Sequence, residues 1–161
     1  MSENIDRCPV CDMKVKYADY TCQYHKMYFH FCSKQCLDNF NDRPSLYVTR
    51  SAKNSGEITK NRVIFLEKPL EIENVDLVKS VLLALMGVNK VVVNTSNIHV
   101  GYDLKQVTEA QIENVLSDVD LAIKNNWFDR LRRRLIQQHE ENELDNLAAP
   151  PRPSYYKASP R

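Results

Sequence analysis

With 161 residues, 43% of them hydrophobic, the chain has room for one large domain or two small ones and enough apolar content for a core. Its 22 Lys and Arg against 21 Asp and Glu leave a net charge of +1, which argues against a general binder of nucleic acid or acidic membranes. No apolar run reaches membrane-spanning length, and the start M-S-E-N-I-D-R-C lacks the basic and apolar regions of a secretory signal, so the expected location is cytoplasmic, with reduced thiols.

All five cysteines fall in the first block, residues 1–48. Cys8 and Cys11 form a C-x2-C pair, and Cys32 and Cys36 a C-x3-C pair. Two such pairs suit tetrahedral Zn2+, and four thiolates close the site, leaving no position for a substrate water. A disulfide framework is the alternative and needs an oxidising compartment. Between the pairs, Tyr20 to Tyr24 and Met27 to Phe31 read as strands turned by His25-Lys26. Ser33 is placed to cap a short helix through Phe40 or Asn41, with Pro44 beyond its end. A metal knuckle, a hairpin and a short helix carrying the second pair make a treble-clef zinc finger.

These residues resemble a known family. C-P-V-C-D-M at 8–13, Y-H at 24–25 and F-C-S-K-Q-C-L-D-N-F at 31–40, with Pro44 and Tyr47, are similar to the YHS and TRASH metal-binding domains. The resemblance implies a treble-clef fold, a role in metal sensing or delivery, and Cys8, Cys11, Cys32 and Cys36 as ligands. Asp12 and Lys26 stand where the family pattern leads one to expect glycine. A complete set of four thiols leans toward Zn2+, with Cu(I) as the alternative. Cys22, Met13 and His25 are candidate auxiliary ligands for a soft metal, against their reading as packing or solvent-facing residues.

The second block spans 62–124, after a linker at 49–61. Val63 to Leu66 reads as a strand. A helix follows from about Asn74 with an apolar face of Val75, Val78, Val81, Leu82 and Leu85, and Gly87 sits at its left-handed end. Val91 to Val93 and Ile98 to Tyr102 read as strands around a polar turn, and His99 as a solvated strand residue. Thr108 with Gln111 fits a capping box for a second helix, and Val119 to Ile123 completes a βαββαβ order. A-L-M-G-V-N-K-V-V-V-N at 84–94 and V-G-Y-D at 100–103 resemble heavy-metal-associated (HMA) domains. Such domains bind metal through a C-x2-C loop after the first strand, whereas here 69–74 has no cysteine. The resemblance therefore implies an HMA-like scaffold without a soft-metal site.

The third block, 125–148, reads as an amphipathic helix. Trp127, Phe128, Leu131, Leu135 and Ile136 form a stripe expected to pack on the second domain. Arg130, Arg132, Arg133 and Arg134 line much of the remainder, followed by Glu140, Glu141, Glu143 and Asp145. A basic amphipathic helix can meet membranes or nucleic acid, but the acidic half is expected to cancel the basic one. Trp127, Arg130, Arg133 and Arg134 are the candidate partner-binding residues. Four prolines place 149–161 in disorder, with Tyr155 and Tyr156 as a docking motif.

The expected fold is α+β: a treble-clef finger, a ferredoxin-like βαββαβ domain and a C-terminal helix. No nucleophile elbow, phosphate-binding glycine loop or H-E-x-x-H occurs, so an enzyme and a small-molecule substrate are not expected. The leading expectation is a cytosolic metal-binding protein in heavy-metal handling, with a protein partner such as a metal transporter or metal-responsive protein. The alternatives are an adaptor with a purely structural zinc and a nucleic-acid-associated regulator using Arg130 to Arg134.

Overall fold

The computed structural model describes residues 7–16, 19–48 and 56–149, and it mixes helices with strands. Part of the expected linker (49–55) and nearly all of the expected tail (150–161, including Tyr155 and Tyr156) lie outside the described residues.

The finger begins with a knuckle closed by a bridge between Arg7 and Lys14. Strands β1 (Tyr20–Tyr24) and β2 (Met27–Phe31) pair antiparallel, with Tyr24 opposite Met27. The two residues left between them, His25 and Lys26, both take positive φ, at 48° and 65°. That is the type I′ geometry whose twist matches a hairpin. Helix α1 (Lys34–Asp42) is capped by Ser33, whose side chain accepts from the Cys36 N–H. Pro44 opens a second short helix, α2 (Pro44–Val48), at the first position, where a missing N–H costs nothing. Phe31, Phe40, Leu46 and Tyr47 are buried, and the Phe40 ring lies 5.0 Å from Phe29 and 5.1 Å from Phe31.

The second block holds strands β3 (Thr59–Phe65), β4 (Val88–Val93) and β5 (Asn97–Asp103), with helices α3 (Val75–Leu83) and α4 (Glu109–Asp118). The sheet order is β3-β5-β4, antiparallel throughout. Strand β3 starts at Thr59, inside the stretch expected as linker. On β5, Ile98, Val100 and Tyr102 are buried with Ile64, Val91, Val78, Leu82, Ile112 and Leu116, while His99 between them is exposed. The alternation of a sheet covered on one face holds from Asn97 to Val100 and then stops, because Gly101 and Asp103 on the His99 side are buried as well. The capping box at α4 is complete: Thr108 accepts from Gln111 N and Gln111 returns the bond to Thr108 N.

The last expected strand needs correction. Residues 119–123 contribute one isolated bridge, Leu66 to Ile123, framed by Glu67 N to Ala122 O (2.8 Å) and Lys124 N to Phe65 O (2.9 Å). The apolar run has strand composition, but Asn126 caps the next helix immediately, accepting from Asp129 N. The chain turns into α5 (Trp127–Ala148) before a ladder can extend.

Helix α5 docks through a different face from the one its apolar stripe suggests. Trp127, Phe128, Leu131 and Leu135 are 66, 72, 47 and 59% exposed. The inward face instead carries Glu140 and Leu144, both buried, with Arg133 and Leu147 half-buried. The Glu140 carboxylate, 1% exposed, accepts from the Tyr102 hydroxyl and from the Glu109 N–H (3.0 Å), and Arg62 lies 3.5 Å away. Lys60 pairs with Glu143 at 2.7 Å and Arg43 with Asp145 at 3.0 Å. Hydrogen bonds and ion pairs to a buried carboxylate choose this face, a preference that a count of apolar residues does not register.

The finger also packs against the sheet domain. The Gln35 side chain donates to Met86 O (3.0 Å) and accepts from Met86 N (3.0 Å), pairing with both main-chain groups of that residue as a strand would. Asn39 donates to Gln106 O (2.5 Å) and accepts from Gln111 (2.8 Å), and the Tyr47 hydroxyl donates to Lys105 O (2.7 Å). Gly87 lets the segment after β5, which carries Gln106, pack closely against the start of β4. Its φ is +93°, and a Cβ there would meet the Gln106 Cβ at 2.5 Å and Val107 Cγ1 at 3.2 Å. Gly87→Ala combines left-handed strain with overpacking and is expected to destabilise the chain by about 2–4 kcal/mol. Chemical denaturation measures this, and exchange of the Met86 amide should accelerate because Gln106 is pushed from its place.

Candidate metal centre

Two local structures bring the four thiols together. In the first knuckle Cys8 N donates to Met13 O and Asp12 N to Cys8 O, each at 2.9 Å, and Asp12 takes a φ of 60°. This tight loop turns Cys8 and Cys11 toward the same point. In the second, Ser33 holds the start of α1, with Cys36 N donating to its hydroxyl at 3.3 Å, so Cys32 precedes the helix and Cys36 occupies its first turn. The four Sγ atoms lie within 4.8 Å of one another. Cys11 and Cys32 are 3.3 Å apart, and Cys32 and Cys36 are 3.7 Å apart. Tetrahedral Zn2+ with bonds of about 2.3 Å places its sulfurs about 3.8 Å from one another. The donor set and spacing therefore fit a four-thiolate ion.

The electrostatics point the same way. Hydrogen bonds with Cys11 and Cys36 hold the Cys8 thiol well below its ordinary range, against the effect of burial. At Cys11 the bond with Cys36 lowers the pKa, but that with Cys8 and burial prevail, and the thiol is pushed up to about 12. Cys36 is pushed up further by its bonds with Cys11 and Cys8 and by burial. The cluster thus favours one thiolate and resists the next ones. A bound cation removes that resistance by supplying the opposite charge. Cys8 and Cys36 are buried, whereas Cys11 and Cys32 are half-buried, so the cluster has one open side.

The left-handed positions explain two departures noted in the sequence. Asp12 (φ 60°) and Lys26 (φ 65°) occupy backbone conformations that suit glycine. Asp12 is partly compensated by a 2.9 Å ion pair with Arg7. Lys26→Gly is expected to stabilise the metal-loaded chain by about 1 kcal/mol, read by chemical denaturation.

The remaining candidate residues are placed differently. Cys22 is half-buried on β1 opposite Phe29, its thiol pushed up by burial, and His25 lies edge-on to Tyr24 at 4.2 Å on the exposed turn. Neither belongs to the group of four, and the Met13 side chain is 47% exposed. On α5, Trp127, Arg130 and Arg134 are exposed. Arg133 is half-buried and contacts Glu113 at 3.4 Å and Asn125 at 2.6 Å. Reading by sequence missed Gln35, Asn39 and Glu140. A signal existed, since Gln35 and Asn39 stand four residues apart on the ligand helix and Glu140 lies midway between Ile136 and Leu144.

No curated protein and no solved structure matches the chain. Residues 7–51 match the YHS domain, and all four clustered cysteines fall within that match.

Proposed function

We propose that this chain is a small cytoplasmic metal-binding protein, not an enzyme, that takes part in heavy-metal handling. In this reading Cys8, Cys11, Cys32 and Cys36 of a treble-clef finger hold Zn2+, or Cu(I) in a trafficking role. The βαββα unit serves as an HMA-like, ferredoxin-type platform without a metal of its own, because 69–74 offers no thiol. The observation that carries the proposal is the four-sulfur cluster with two buried and two half-buried members. Cys8 and Cys36 anchor the ion, and the open side at Cys11 and Cys32 lets a thiol from a donor or acceptor approach. The bound ion supplies the charge that keeps the four sulfurs ionised. A protein partner such as a metal transporter or metal-responsive protein receives it.

A second reading, an adaptor with a purely structural zinc, draws on the bonding of α1 to the sheet domain through Gln35 and Asn39. Both readings require about one metal ion per chain after purification without added metal, by elemental analysis. They separate on exchange: transfer to a competing thiol chelator within minutes while the fold persists supports metal handling. Release only on global unfolding supports the adaptor.

A further inference from the structure

The near-neutral total charge conceals a segregated surface. Three of the four acids in the second half of α5 face inward or are engaged: Glu140 with Tyr102 and Glu109, Glu143 with Lys60, and Asp145 with Arg43. The fourth, Glu141, is exposed and stands two turns beyond Arg134, so these acids leave the first half largely cationic. From Lys124 to Gln138 the sequence contains a single acid, Asp129, which is half-buried. Arg130 and Arg134 make no ion pair among the described residues. Lys124 and Arg132 lie 6.0 and 5.8 Å from the exposed Phe65 ring.

Between these cations runs an apolar stripe of Trp127, Phe128, Leu131 and Leu135, each about half to three-quarters exposed. At 100° per residue the stripe lies opposite the docked face of Arg133, Glu140 and Leu144, and Arg134 and Arg132 flank it on either side. Trp127 and Phe128 pack edge-to-face at 4.4 Å and stand at the start of the helix. The two most exposed members of the stripe are these two aromatic residues.

We propose that the first half of α5 is a docking surface for an anionic lipid layer. Four apolar side chains with arginines on both flanks match hydrocarbon beneath a layer of negative headgroups. Tryptophan favours that boundary. A polyanion such as a nucleic acid would satisfy the arginines and leave the four apolar side chains in water, so it accounts for half of the surface.

Trp127 is the only tryptophan in the chain, and its emission therefore reports directly on insertion. The test mixes metal-loaded full-length protein with phosphatidylcholine vesicles, with or without about 30% phosphatidylserine, at low and high salt. With phosphatidylserine at low salt, Trp127 emission should shift to the blue and the protein should float with the vesicles; phosphatidylcholine alone should do neither. Arg130→Gln with Arg134→Gln should weaken binding by roughly thirtyfold. Leu131→Ser with Leu135→Ser should abolish the emission shift. These side chains are exposed, and unchanged metal content and melting would verify that the variants fold. Unshifted emission with phosphatidylserine at low salt overturns the proposal. So does vesicle binding that survives the leucine substitutions, or a stripe that is covered by self-association or bound only by duplex nucleic acid.

Discussion

Stripping the metal from the full-length chain is expected to unfold residues 7–48 and also to loosen the sheet domain. With the proposed four-thiolate ion, the first block is too small for its aromatic core to replace four metal bonds, so metal binding would be folding energy there. Sequence alone leads to the expectation that the second block stays untouched. The structure changes it, because Gln35 and Asn39 extend from the ligand helix to Met86, Gln106 and Gln111, and Tyr47 bonds to Lys105. Losing these bonds removes about 5 kcal/mol from the sheet domain at roughly 1 kcal/mol per bond. Hydrogen exchange with and without a chelator checks this. Protection should vanish across 20–48 and fall at Met86, whose N–H donates to Gln35. Cys36→Ala should reproduce both effects without chelator. Unchanged protection at Met86 after metal loss would show that the interface carries no stability.

Glu140→Ala is expected to be the most costly single change outside the finger, at about 3–5 kcal/mol. It removes the shared acceptor of Tyr102 and Glu109 and leaves Arg62 facing a gap. Far-UV circular dichroism during urea titration measures the loss, and α5 should become accessible to protease before the sheet does. The neighbouring Glu109, 3% exposed, adds a pH dependence. Burial, then the charges of Glu113 and Glu140, raise its pKa from 4.5 to about 7, against the pull of Arg62 and Arg132. The folded state therefore holds this proton more tightly than the unfolded chain. Its contribution is full below about 4.5 and is lost as pH rises through 7. Glu109→Gln should accordingly stabilise the chain at pH 8 relative to its effect at pH 5, by on the order of 2–3 kcal/mol. Comparing variant and parent at each pH cancels the titration of the thiols, which both share.

What the sequence by itself determined lies within a few residues of each motif. The C-x2-C and C-x3-C spacings bring the thiols close because a tight knuckle and one helical turn do the positioning locally. The turn at His25-Lys26, the Ser33 cap, the Thr108–Gln111 box and the left-handed Gly87 follow from bonds that reach three or four residues along the chain. The tertiary structure decided the rest. It shortened the last strand to one bridge, because the cap of the next helix competes for the same residues. It turned the polar face of α5 inward, because Tyr102, Arg62 and the Glu109 amide, distant in sequence, converge on one carboxylate. A polar side chain is buried or exposed according to which partners reach it. Those partners are set by how the elements pack, so the sequence displays the Trp127 stripe and the Glu140 face without saying which one meets water.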